Sequence, residues 1–282
     1  MKSSVLVLFF IMLMHGFVPA QSPWTRDKAG FYLQASWQTI PSYGTVFDQA
    51  SENRRRLLER RISSNSFHFL AEYGFSHKTL FWVEAPFRFV QSGAPTSAVP
   101  PALPAGSLHG LGNITFACRQ NFISGKLTFS GQFRVDLPAT GLDSSTGLST
   151  GFDALSANAL LSLGQRDSKW YWFCYAGPGI RGKFGNSAVW GGGEAALKIR
   201  RHWLAVFSDV SWNTGSDTYS VPPANEKTAL FLPRQGFWNA GAKGMIAFGR
   251  FFGSVISVSV PVDGDLNARQ PAYTAGVYFR WD

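Results

Sequence analysis

Between Lys126 and Leu137 the chain alternates strictly: Leu127, Phe129, Phe133, Val135 and Leu137 fall on one row, Lys126, Thr128, Ser130, Gln132, Arg134 and Asp136 on the other. A period of two residues is that of a β-strand with one apolar and one polar face. Similar stretches recur down the whole chain, and it finishes on the aromatic run Tyr278-Phe279-Arg280-Trp281. In hydrocarbon every backbone polar group needs a partner within the protein, which leaves helices and closed barrels as the spanning structures. Repeated alternation therefore predicts an all-β fold, an antiparallel, transmembrane, up-and-down β-barrel of about twelve strands.

The N-terminus fits an exported chain. Lys2 precedes an apolar run from Val5 to Met14, and Val18-Pro19-Ala20 places small residues before Gln21. Residues 1–20 read as a secretory signal peptide and 21–282 as the barrel. The remainder contains no run of about 18 apolar residues, so membrane residence by helices is excluded. Its length suits one large barrel, with no composition shift to divide it.

Formal charge is +9, and +8 once Lys2 is removed. A basic excess suits nucleic acid or an anionic membrane surface. An exported chain meets the phosphates of outer-membrane glycolipid, so lipopolysaccharide is the expected partner and nucleic acid is not. Cys118 and Cys174 are expected on strands about 14 Å apart, beyond the reach of a disulfide, and both thiols are expected free, with Cys118 facing lipid.

The strands expected from alternation and turn residues start with Gly30 to Thr39, Ser66 to Ser76, Thr79 to Gln91 and Asn113 to Phe122. Next come Lys126 to Leu137, Phe152 to Gly164, Trp170 to Phe184 and Ala188 to Arg200. The last are Trp203 to Asn213, Gly236 to Phe248, Phe252 to Asp263 and Ala272 to Trp281. Their connections alternate between short and long, the pattern of short periplasmic turns and long outer loops, which puts the protein in the outer membrane with both chain ends inside. Trp37, Trp190, Trp212 and Trp238 are expected in an outer aromatic girdle, and Trp170, Trp203 and Trp281 in an inner one.

A charge facing hydrocarbon costs about 2 to 4 kcal/mol, so charges in strands are expected in the lumen. On strands two to five these are Glu72, Glu84, Arg88, Arg119, Arg134 and Asp136. The remaining wall adds Glu194, Lys198, Asp209 and Lys243. The first six are numerous enough for a ladder of ion pairs along one wall, either as filling that satisfies itself or as a lane that orients a solute. Acids and bases balance, so no preference for anions or cations is expected. Inward Tyr32, Trp82, Phe173 and Phe207 either supply apolar contacts or fill space.

Arg54, Arg55, Arg56, Arg60 and Arg61 form a basic cluster in the first outward loop, either binding lipopolysaccharide phosphate bidentately or forming a solvated, partly helical loop. No H-E-x-x-H or G-x-S-x-G pattern is present, and no metal, cofactor or catalytic residue is expected. His68, His77, His109 and His202 are not expected to meet a serine and an acid at one level of the barrel.

Three segments add a family resemblance. His109-Gly110-Leu111-Gly112-Asn113-Ile114 opens a strand, Leu137-Pro138-Ala139-Thr140-Gly141 closes the next, and Gly147-Leu148-Ser149-Thr150-Gly151 leads into a third. Over residues 108–164 this order resembles the outer-membrane proteins grouped as the meta-pathway phenol-degradation transporter family, with Asn113 in place of an acid and Ala139 inserted. The resemblance implies an exported barrel associated with uptake of aromatic or other apolar compounds. The residues and the resemblance together lead us to expect a channel for passive uptake of small solutes. The alternatives are a closed barrel that binds glycolipid or a partner, and a lipid-modifying enzyme. If the ladder exists, Arg134→Ala strands Asp136 or a neighbouring acid and shifts conductance or stability by about 1 to 3 kcal/mol. Wild-type conductance and wild-type unfolding in that variant would remove the ladder.

Overall fold

The computed structural model describes residues 22–181, 186–214, 222–232 and 234–281. The expected signal peptide, 1–20, lies outside the described residues. One antiparallel sheet begins with β1 (Phe31–Phe47), β2 (Arg55–Gly74), β3 (Thr79–Pro95), β4 (Gly106–Leu111) and β5 (Ile114–Ile123). It continues with β6 (Leu127–Leu137), β7 (Ser156–Arg166), β8 (Trp170–Arg181), β9 (Asn186–Ile199) and β10 (His202–Asn213). A short helix, α1 (Pro223–Thr228), precedes β11 (Gly236–Ala247), β12 (Phe252–Asp265) and β13 (Ala272–Trp281).

The sheet closes because β1 pairs with β13 on one side and β2 on the other. Thirteen strands fill twelve positions around the wall: β3 pairs with β4 along its upper half and with β5 along its lower half, so β4 and β5 share one position in series. The break between them falls at Gly112 and Asn113, opposite Pro86, which has no N–H to continue the ladder. Gly112 instead donates to the Pro86 carbonyl at 2.8 Å. A Cβ there would lie 2.9 Å from the Thr150 carbonyl oxygen and 3.0 Å from the Pro86 ring, so only glycine fits without a shift.

The alternation translates into two faces. Phe67, Phe69, Phe116, Phe133, Val206 and Val277 project outward and are exposed, which in a bilayer means lipid. Glu72, Arg119, Gln132 and Glu194 are buried inside. Cys118 shares the outward parity of Phe116, and both cysteines are free.

Three expectations need correction. β1 and β2 run on as strands through 40–47 and 55–65, which were expected to be loop. Register shifts between Ile40, Tyr43 and Thr45 interrupt the alternation at that point, which hides the extension. The arginine cluster consequently sits mostly on β2 and is not helical. Trp190 and Trp203 leave their girdles: Trp203 is buried, and Trp190 packs partly buried against the same inner cluster. They share strand parity with Glu194 and Phe207 respectively, and parity decides the face even at a strand end. Trp37, Trp212, Trp238 and Trp281 are exposed, as a girdle requires.

Phe133→Arg puts a charge on the lipid face of β6 and is expected to cost about 2 to 4 kcal/mol if it lies near the bilayer midplane. Equilibrium unfolding in guanidinium from lipid vesicles measures this; an unchanged midpoint would mean Phe133 does not face hydrocarbon.

Candidate functional site

Segments of the chain fold inward at both ends of the lumen, and the described residues line two chambers between them. At the short-turn end, residues 22–29 fold inward before β1. Trp24 is buried edge-on against Tyr171 and Phe173 of β8, with ring centroids 5.6 and 5.9 Å away. Arg26 gives Glu72 of β2 two hydrogen bonds, 2.9 and 2.7 Å, with both side chains almost fully buried. Arg119 of β5 donates to the Trp24 carbonyl at 2.9 Å and to Gln132 of β6 at 3.1 and 2.7 Å. Thr25 bonds the His77 carbonyl and accepts from Asn121. Removing one member of such a buried set leaves the others unsatisfied, so the segment is firmly seated.

Above it lies a chamber of about 240 Å³ whose wall includes Trp82, Phe173, Tyr175, Phe207, Asp209 and Lys243. Its charges are paired: Lys243 donates to Glu194 at 2.6 Å, Tyr175 donates to Asp209 at 2.5 Å, and Tyr171 donates to Glu194. Glu84 and Arg134 belong to this wall and also to that of a second, smaller chamber of about 120 Å³. They form the neck between the two.

The upper chamber is rich in arginine. Arg88 of β3, Arg134 of β6 and Arg181 of β8 line it together with Glu84 and Asp136. Arg134 is bonded to Asp136 at 2.8 Å, and Asp136 also accepts from Thr115 at 2.7 Å. The Arg88 guanidinium lies 4.2 Å over the Phe231 ring, and that of Arg181 lies 3.9 Å over Phe152.

The roof is built by the glycine-bearing segments of β4, β5 and the loop 138–155. Asn113 accepts from the Phe152 N–H at 2.7 Å and donates to the Phe152 and Ala154 carbonyls at 2.9 and 3.3 Å. Thr150 donates to the Leu111 carbonyl and accepts from the Gly141 N–H. Gly147 has φ +72° and comes so close to α1 that a Cβ would meet the Ala224 carbonyl. Its own carbonyl accepts from Asn225 at 2.8 Å and Thr228 at 2.7 Å, and Lys227 of α1 pairs with Glu59 of β2 at 3.0 Å. Leu148, Leu230 and Leu232 then pack against Val46, Ile62 and Val90 of the extended strands, covering the long-loop end.

The expected lumen residues do point inward, but they do not build one wall-to-wall ladder. Glu72 is taken by Arg26, Arg119 by Gln132 and Trp24, and Arg134 pairs within its own strand. Lys198 sits at the short-turn rim, 5.8 Å from the Trp203 ring. The expectation that no histidine meets a serine and an acid is overturned. His68 lies between Ser66 Oγ, 2.9 Å from Nε2, and Glu84, 2.9 Å from Nδ1. Ser66 and His68 share a face of β2, and Glu84 sits diagonally opposite on β3. Ser66 is buried and does not line the chamber that His68 and Glu84 line, so its hydroxyl has no surface on which to meet a substrate. The chain of bonds fixes the Glu84 carboxylate at the neck. In the basic cluster, Arg54 pairs with Asp263 and Arg60 braces the Gly93 and Leu103 carbonyls, while Arg55 and Arg61 stay exposed.

Arg26, Trp24 and Arg181 were missed as lumen groups. Arg181 ends its strand on the same parity as Phe173 and Tyr175, which was the available signal; residues 22–29 precede the first strand and carry no periodicity.

No family model and no curated protein matches the sequence. Among solved structures, the COG4313 outer membrane channel from Pseudomonas putida F1 is similar over 94 % of this chain and 100 % of that one, with a TM-score of 0.69 and 10 % identity. The chain has the fold of an outer-membrane β-barrel. KdgM porin gives a TM-score of 0.49 at 6 % identity over 88 % of this chain and 99 % of that one. The CymD monoaromatic hydrocarbon channel gives 0.42 at 6 % over 90 % and 88 %.

Asn113→Ala removes three bonds that hold the roof and is expected to destabilise it by about 1 to 3 kcal/mol, read as faster amide exchange across 138–155. Hydrogen bonds from Thr146 and Ser145 hold the Asp143 carboxyl down at about 2. A depressed carboxyl stabilises the fold above its ordinary value of 3.8 and loses that contribution as pH falls to about 2. Exchange protection of the 143–148 turn, corrected for intrinsic rates, is therefore expected to hold from pH 7 to 4 and to weaken below.

Proposed function

We propose that this protein is an outer-membrane channel for passive uptake of small solutes that carry an aromatic or apolar body. The observation that carries the reading is the pair of chambers sharing Glu84 and Arg134, with a segment of the chain seated at each end of them. A scaffold barrel fills its interior; this one keeps two spaces lined by rings and by charges that are mostly paired. The ring-lined lower chamber supports the aromatic or apolar preference, in line with the family resemblance of residues 108–164. The alternation of short turns and long loops supports an orientation with residues 22–29 at the periplasmic mouth and α1 at the outer face. Arg55 and Arg61, exposed near the outer rim, are the members of the cluster open to lipopolysaccharide phosphate.

Single-channel recording of the refolded mature chain in a planar bilayer tests this. Wild type is expected to give small, interrupted currents, and Trp24→Ala/Arg26→Ala, which unseats the inner segment, to raise conductance severalfold. Aromatic solutes are expected to reduce the current and sugars to leave it. Silence in both proteins would overturn the channel and favour a closed glycolipid-binding barrel.

A further inference from the structure

The ten expected lumen charges balance over the whole bore, but the upper chamber does not. Three guanidinium groups, Arg88, Arg134 and Arg181, line it against two carboxylates, Glu84 and Asp136. Both carboxylates are already engaged, Glu84 by His68 and Asp136 by Arg134 and Thr115. Among the described residues no side chain or carbonyl accepts a hydrogen bond from Arg88, whose close partner is the face of Phe231. A guanidinium taken from bulk water without an acceptor is costly, and it persists where an anion completes it.

The rings define the rest. Phe231 lies against Arg88, Phe152 against Arg181, and Trp190 within 5.4 and 5.8 Å of Arg134 and Arg181. The ring that covers the Arg88 guanidinium face leaves its in-plane N–H fork uncovered at the chamber wall, and such a fork matches the two oxygens of a carboxylate. The same rings offer an apolar wall to whatever the carboxylate is attached to.

We propose that the upper chamber is a binding site for a small organic monocarboxylate with an aromatic or apolar body, its carboxylate held by Arg88 with Arg181 beside it. This rests on the channel reading for the ligand's route in and names the solute class that the route selects. Lys243 and Glu194 neutralise one another below, so the lower chamber offers no rival anion site.

The test is calorimetric titration of the detergent-folded full chain, and of its Trp24→Ala/Arg26→Ala form with an open inner mouth, using benzoate and its neutral counterpart benzyl alcohol. Benzoate is expected to bind at least about tenfold more tightly than benzyl alcohol. Arg88→Gln is expected to lose that preference, and Arg88→Lys, which keeps the charge without the fork, to retain part of it. Equal affinity for the two probes in the opened form, or undiminished benzoate binding in a folded Arg88→Gln, overturns the site. Bilayer recordings separate the two readings: carboxylate preference in an electrically silent protein sinks the channel and keeps the site, whereas conductance without the preference does the reverse.

Discussion

Closure of the sheet is the constraint on which the rest depends. Apart from β4, which pairs only with β3, each strand has a neighbour on both sides, so backbone donors and acceptors of the closed wall are satisfied without water and the outer face can be apolar. Where the ladder fails, at Pro86, the chain supplies a local remedy: Gly112 donates out of line, and the strand position restarts at β5. The same gap lets Asn113 turn to the loop and hold Phe152 over the chamber. A backbone defect in the wall is thereby the anchor of the roof.

Once the outer face is committed to lipid, charges in the middle of the strands are forced inward, where burial demands partners. The structure meets the demand in different ways at different heights. Near the short-turn end, the partners come from residues 22–29, which bring Arg26 to Glu72 and a carbonyl to Arg119. In the middle, tyrosines and a lysine satisfy Glu194 and Asp209. At the top, an aromatic face covers Arg88, while Arg181 lies under Phe152 and donates to the Gln235 carbonyl. The ten lumen charges that balance in number are sorted by level in space.

The strands were legible because period two is a local property, and most of their bounds agree with alternation within a few residues. It failed where locality failed. At Ile40 to Thr45 register shifts scrambled the period, and residues 22–29 have none to read. Trp190 and Trp203 show a subtler loss: nearness to a strand end suggested a girdle, while the parity they share with Glu194 and Phe207 already placed them inside. The convergence of Ser66, His68 and Glu84 needed the pairing of β2 with β3, which alternation alone does not give. Lumen membership could be read residue by residue; partnership could not, because register across strands decides it.

The seat of residues 22–29 also bears on the order of assembly. Trp24 needs Tyr171 and Phe173, 147 and 149 positions further on, while its carbonyl needs Arg119 and Arg26 needs Glu72. None of these groups is in place until the wall from β2 to β8 has formed, and contacts so distant along the chain are late to form. The segment that precedes β1 is thus among the last to find its place, and the closing barrel must complete itself around a bore this segment has not yet filled.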